Sequence, residues 1–131
     1  VYKRQRSLAQ RGERGWKVSQ GGLAETLEAA LPLDPPSRRD ARVWFAFFGR
    51  ALHSPDVARE FRERYAALEA SAQVLLEART LRPSYGASEV LQLTFAFLDG
   101  LAMRALVEPR AFPARRQREM LRRQLALLVM D

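Results

Sequence analysis

The sequence predicts an all-α fold of about five helices in an antiparallel bundle. Apolar residues recur at three- and four-residue spacing over long stretches. Prolines and capping residues fall at the junctions between those stretches. No segment reads convincingly as a strand, because the aromatic-rich run at 43–48 is flanked by helix signals. The composition, 47% hydrophobic and 28% charged over 131 residues, is that of a globular chain able to build a single core rather than a disordered one.

The first helix is expected from about Ser19 to Leu31, with Leu23, Leu27 and Ala30 or Leu31 on one side. The run Pro32-Leu33-Asp34-Pro35-Pro36 stops it, since proline cannot continue the hydrogen-bond ladder. A second helix is expected from about Arg38 to His53, capped by Ser37 with Asp40 three residues on. Its centre, Val43-Trp44-Phe45-Ala46-Phe47-Phe48, spreads aromatic rings around most of the helix, so burial on several sides follows. The third helix opens on Ser54 as cap with Pro55 in the first turn, where the missing N–H costs nothing. It carries the stripe Val57, Phe61, Tyr65, Leu68, Ala72, Leu75 and Leu76 towards Arg79, with a break allowed near Ser71. A fourth helix, about Ala87 to Glu108, has two apolar faces, Leu91/Phe95/Leu98/Ala102 and Val90/Phe97/Leu101/Ala105, and therefore two packing partners. A fifth runs from about Pro113 to Met130 on Leu121, Leu125 and Leu128, its first half loaded with arginine.

The net charge of +7 is unevenly placed. Residues 1–17 hold six basic side chains against Glu13, leaving +2 for the rest. We read 1–17 as a disordered basic tail, foreign in origin or an arm touching DNA or an acidic partner, and 18–131 as one helical domain. Without cysteine there is neither a disulfide framework nor a thiolate metal site. The single histidine, His53, sits at a helix C-terminus, where a cation suits the dipole, and lacks the partners that metal binding or general-base work needs. No nucleophile elbow, zinc-helix or phosphate-loop pattern occurs, so neither enzyme nor cofactor or metal chemistry is expected. No apolar run is read as approaching the roughly 18 residues of a membrane span, and a cytoplasmic protein without membrane contact is expected.

Several segments, in order, resemble the C-terminal domain of TetR-family regulators, especially the BetI-like group. They are Ala41-Arg42-Val43-Trp44-Phe45-Ala46-Phe47, Ser54-Pro55-Asp56, Phe97-Leu98-Asp99-Gly100-Leu101-Ala102, Glu108-Pro109 and the final helix opened by Pro113. The resemblance covers roughly residues 20–130. It implies an effector-binding and dimerisation domain of a transcriptional regulator. Family members begin with a helix-turn-helix unit, and nothing upstream of Ser19 supplies its pattern, so DNA contact is expected only through that absent unit. The first helix would correspond to the linker that couples sensor to DNA-reading head.

Trp44, Phe47, Phe48, Phe61, Tyr65 and Phe95 are the candidate lining of a pocket for a small apolar or aromatic effector. The competing reading is that the same rings fill a solid core, leaving a helical adaptor dimer without ligand. A void above roughly 300 Å³ between the second, third and fourth helices separates the two. Leu101, Leu121, Leu125 and Leu128 are the expected homodimer face, through the last two helices. Asp99 inside an apolar helix demands a partner, with Arg50 and Arg104 as candidates, and Gly100 suggests close approach of another backbone. The arginines of the fifth helix read as a solvated face.

Overall fold

A computed structural model describes residues 22–130. Among them lie five α-helices: α1 (Leu23–Leu27), α2 (Pro35–Ala51), α3 (Pro55–Leu76), α4 (Ala87–Val107) and α5 (Ala114–Leu128). The only extended pairing among the described residues is an isolated bridge, Leu81 with Val129. Residues 1–17, expected to form a basic tail, lie outside the described region.

The helix boundaries follow local chemistry, and some differ from expectation. α1 is short because Glu28–Ala30 tightens into a 3-10 turn before Leu31 turns extended. At its start Gly22 holds φ 140°, a backbone conformation that favours glycine. α2 starts three residues earlier than predicted. Its cap is Asp34, not Ser37. Asp34 Oδ1 accepts from the Ser37 N–H at 2.8 Å, and Ser37 Oγ accepts from the Asp34 N–H at 3.0 Å. Pro35 and Pro36 therefore occupy the first turn, where no donor is required. The same prolines that bar α1 from continuing open α2. α3 starts as predicted, with Ser54 Oγ accepting from the Val57 N–H, but runs unbroken through Ser71. α5 ends at Leu128, and Met130 N–H instead reaches Thr80 O across the neighbouring loop.

The core has two halves. An aliphatic half joins Leu23, Leu27 and Leu31 to Ala72 and Leu76 of α3, one face of α4, and Leu121, Leu125, Leu128 and Val129. Burying each such leucine contributes roughly 2 kcal/mol. An aromatic half lies between α2, α3 and the middle of α4, and holds the site described below.

Both apolar faces of α4 are consumed inside the protomer: Val90, Leu91, Thr94, Phe95, Leu98, Leu101, Ala102 and Ala105 are all buried. The leucines expected at a dimer face are likewise internal. Leu101 is 5% exposed, Leu121 0%, Leu125 7% and Leu128 5%. The periodicity identified a buried stripe correctly, but its partner is this chain's own core. What faces outward is a different stripe, with Leu93, Met103 and Val107 on α4 and Leu127 on α5 exposed. α4 also corrects the reading that no segment approaches membrane-span length. By length and composition it is apolar enough to cross a bilayer. Its inward residues instead build the helical core.

Candidate functional site

The aromatic half is organised around Asp99. Tyr65 on α3 donates its phenol O–H to the carboxylate, and the indole of Trp44 on α2 stands beside the same group and acts to lower its pKa. The Tyr65 hydroxyl also lies 3.5 Å from the carbonyl of Phe95. The carboxylate thus ties α3 to α4 and faces Trp44 of α2 across the same space. Neither Arg50 nor Arg104, the expected partners, reaches it. Arg104 instead pairs with Glu108 at 3.0 Å and stacks over the Phe112 ring. A buried carboxylate needs a donor, and the neutral Tyr65 phenol supplies one here.

Burial dominates the electrostatics. It lifts the Asp99 carboxyl from 3.8 to about 6, against the lowering effect of Tyr65 and Trp44. The Tyr65 phenol is pushed well above its ordinary range, first by burial and then by the adjacent Asp99 charge. The phenol therefore stays protonated as a donor, while the carboxylate is a charge that the protein compensates incompletely.

The rings form a continuous wall. Trp44 lies 4.7 Å from Phe61 between centroids and 6.1 Å from Tyr65; Phe61 lies 5.5 Å from Tyr65, and Tyr65 meets Phe95 edge-on at 5.6 Å. Two spaces flank this wall. The inner one, about 60 Å³, is bounded by Ala29, Ala30 and Leu31 on one side and by Ala41, Trp44 and Leu68 on the other. The outer one, about 650 Å³ and open to solvent, is bounded by Phe48, Phe61, Gln92 and Met103. Phe45, Tyr65, Phe95 and Asp99 border both.

Of the six predicted lining residues, Trp44 borders the inner space, Phe48 and Phe61 the outer, and Tyr65 and Phe95 both. Phe47 borders neither; it is 3% exposed and packs on Phe61 at 5.8 Å. Sequence reasoning missed Phe45 and assigned Asp99 no role in the site. The available signal for Asp99 was a carboxylate in an apolar helix with two polar-tipped rings on other helices. The inner space falls below the roughly 300 Å³ expected of a ligand pocket and the outer groove exceeds it.

Residues 20–129 match the family of BetI-type transcriptional repressor C-terminal domains. The chain belongs to this TetR-type family. A crystal structure of a transcriptional regulator from Rhodococcus sp. Rha1 superposes with a TM-score of 0.80 at 28% identity, over 95% of this chain and 80% of that one. Among curated proteins none matches. The BetI-type domain is thus the C-terminal part of a transcriptional regulator, and the family and its structural neighbour are regulators, not enzymes.

Within this BetI-type domain the element next to the site is α1. Its 3-10 extension walls the inner space, and its acidic face grips α5. Arg118 pairs with Glu28 at 3.4 Å, and Arg122 with Glu25 at 3.4 Å and Glu28 at 3.3 Å. Part of the arginine face of α5 is thus engaged by α1. The buried Gln117 of α5 donates to Phe112 O at 2.9 Å and Pro32 O at 3.4 Å, holding the loop after α1.

Proposed function

We propose that this BetI-type domain binds a small effector between α2, α3 and α4 and reports its presence through α1, within a homodimer. The observation that carries the reading is shared walling: Ala29–Leu31, continuous with α1, border the same small space as Trp44, Tyr65 and Asp99. A ligand that enters from the outer groove past Tyr65 and Phe95 must enlarge the inner space, and the 3-10 turn is its least regular wall. Displacing that turn moves α1 against its ion pairs with α5. The Glu25 pair is half exposed on both sides and contributes under about 1 kcal/mol, whereas Glu28 is only 17% exposed and anchors the turn more firmly. The effector acts only to the extent that it prefers the displaced arrangement.

The homodimer reading rests on the outward stripe of α4 and α5. Leu93 is 44% exposed, Met103 48%, Val107 76% and Leu127 69%. A Cβ added at Gly100 meets nothing within 4 Å, so the close approach this glycine permits would come from outside the protomer. A twofold pairing of α4 and α5 with their copies covers this surface.

One observation favours a second reading, a helical adaptor with a filled core: the inner space holds only about 60 Å³. Thermal unfolding with a panel of apolar and aromatic compounds decides between them. For an effector domain, a compound at a hundredfold excess over its Kd stabilises by about 2.7 kcal/mol. No shift with any compound, for the wild type and for Phe48→Ala alike, supports the adaptor.

A further inference from the structure

A second cleft, apart from the aromatic half, opens at the start of α1. It holds about 380 Å³ and shares no wall residue with either space beside Asp99. That volume lies within the roughly 300–1,000 Å³ of small-molecule sites. Three segments meet there: the first turn of α1, the loop after α3 and the last turns of α5. The loop is fastened to the end of α5. Arg82 N–H donates to Leu128 O at 2.9 Å, Met130 N–H donates to Thr80 O at 2.9 Å, and Leu81 pairs with Val129. Leu23, Leu125 and Val129, all buried, give the cleft an apolar floor. Arg79, Arg82 and Arg122 stand on its walls against a single carboxylate, Glu25.

These charges do not cancel. Glu25 already pairs with Arg122, which also meets Glu28. Neither Arg79 nor Arg82 forms an ion pair with another described residue. Arg82 Nε donates to the Ala126 carbonyl at 2.9 Å, which orients the guanidinium plane and leaves both amino groups for another acceptor. Arg79 is half-buried, and its terminal nitrogen lies 3.5 Å from where a Cβ on Gly22 would stand. A side chain at that position would crowd the guanidinium, which glycine leaves open. Guanidinium groups match carboxylate and phosphate oxygens with paired N–H donors. Cationic walls over an apolar floor suit an anion with an apolar body. We propose that this cleft is a second ligand site, taking a small organic anion whose carboxylate or phosphate head lies between Arg79 and Arg82 and whose apolar body rests on Leu23, Leu125 and Val129. The site is independent of the effector reading. Its occupant bridges the start of α1 to the loop after α3 and to α5, and so braces α1 at its first turn, while the inner space borders the 3-10 end.

The test titrates benzoate, phenyl phosphate and benzamide into the chain by calorimetry at neutral pH and low ionic strength, where charge attraction is least screened. Benzamide has the shape of benzoate without its charge. At least one anion is expected to bind about tenfold more tightly than benzamide, and the tighter of the two identifies the head group. The Arg79 side chain carries no hydrogen bond to another described residue, so Arg79→Gln should leave the Tm unchanged and bring the anion down to the level of benzamide. Arg82→Gln should weaken the anion as well, and keeps the proposal testable if Arg79→Gln does not fold. Arg110→Gln removes the same charge at an exposed position outside the cleft and should keep the preference. Equal affinity of the anions and benzamide, no binding of either anion, or the same loss in Arg110→Gln as in Arg79→Gln overturns the site. None of these results bears on the effector reading, whose site shares no residue with this cleft.

Discussion

Tyr65 and Asp99, 34 residues apart in sequence, are joined by a hydrogen bond from phenol to carboxylate that links α3 to α4 in the wall between two spaces. The bond has a consequence for stability. The carboxyl is raised from 3.8 to about 6 in the fold because burial outweighs the lowering effect of Tyr65 and Trp44. An acid with a raised folded pKa holds its proton more tightly folded than unfolded, so its contribution to stability falls as pH rises through that interval. At about 1.4 kcal/mol per pKa unit the fall is roughly 3 kcal/mol. Asp99→Asn should therefore gain on the wild type between about pH 4 and pH 6, and the difference between the two should be constant above. Urea titrations of both chains across this range check it; a difference independent of pH contradicts the assignment.

Exposure separates two leucines two residues apart. Leu125 is 7% exposed in the core and Leu127 is 69% exposed on the outward stripe. Leu125→Glu should fail to fold, because it buries an unpaired charge. Leu127→Glu should fold and, in analytical ultracentrifugation, sediment as a monomer where the wild type sediments as a dimer. A Leu127→Glu dimer as tight as the wild type places the interface elsewhere.

The aromatic run of α2 divides similarly. Phe47 is 3% exposed and borders neither space, so Phe47→Ala should cost about 3–5 kcal/mol. Phe48 is half-buried and borders the outer groove, so Phe48→Ala should cost roughly half as much and change ligand preference. Thermal unfolding with and without ligands reads both effects. Equal losses for the two variants contradict this division.

The Asp34 cap gives a purely local prediction. Asp34→Ala removes the acceptor for the Ser37 N–H and should cost about 1 kcal/mol, measured by denaturant titration. Asp40→Ala, at the position the sequence suggested for a capping box, should cost less.

The helices were legible because each carries a long apolar period bounded by proline or a cap. The α2 boundary was misplaced because Pro32, Pro35 and Pro36 read together as a breaker, whereas two of them serve as a helix start once Asp34 caps it. The stripe of Leu101, Leu121, Leu125 and Leu128 was legible as buried, but periodicity cannot say which neighbour buries it. The site was half legible. Trp44 and Tyr65 stood out as rings with a polar atom to satisfy, and Asp99 as a carboxylate in need of donors. That they meet at one site depends on the crossing of α2, α3 and α4, which no local pattern records. Gly100 suggested close approach of another backbone, but a Cβ built there meets nothing within 4 Å of the described residues.

The central claim, that a ligand between α2, α3 and α4 is read by α1, is tested most directly by a proton–nitrogen NMR titration of the isotope-labelled chain. A panel of small apolar and aromatic compounds supplies the ligands. The Trp44 indole N–H, which borders the inner space beside Asp99, reports the site, and the backbone amides of Ala29 and Ala30 report the 3-10 turn. The predicted result is a saturable movement of all three signals with one common Kd for at least one ligand. A Trp44 signal that moves while Ala29 and Ala30 stay fixed contradicts the coupling, and three signals unmoved by every ligand contradict the site.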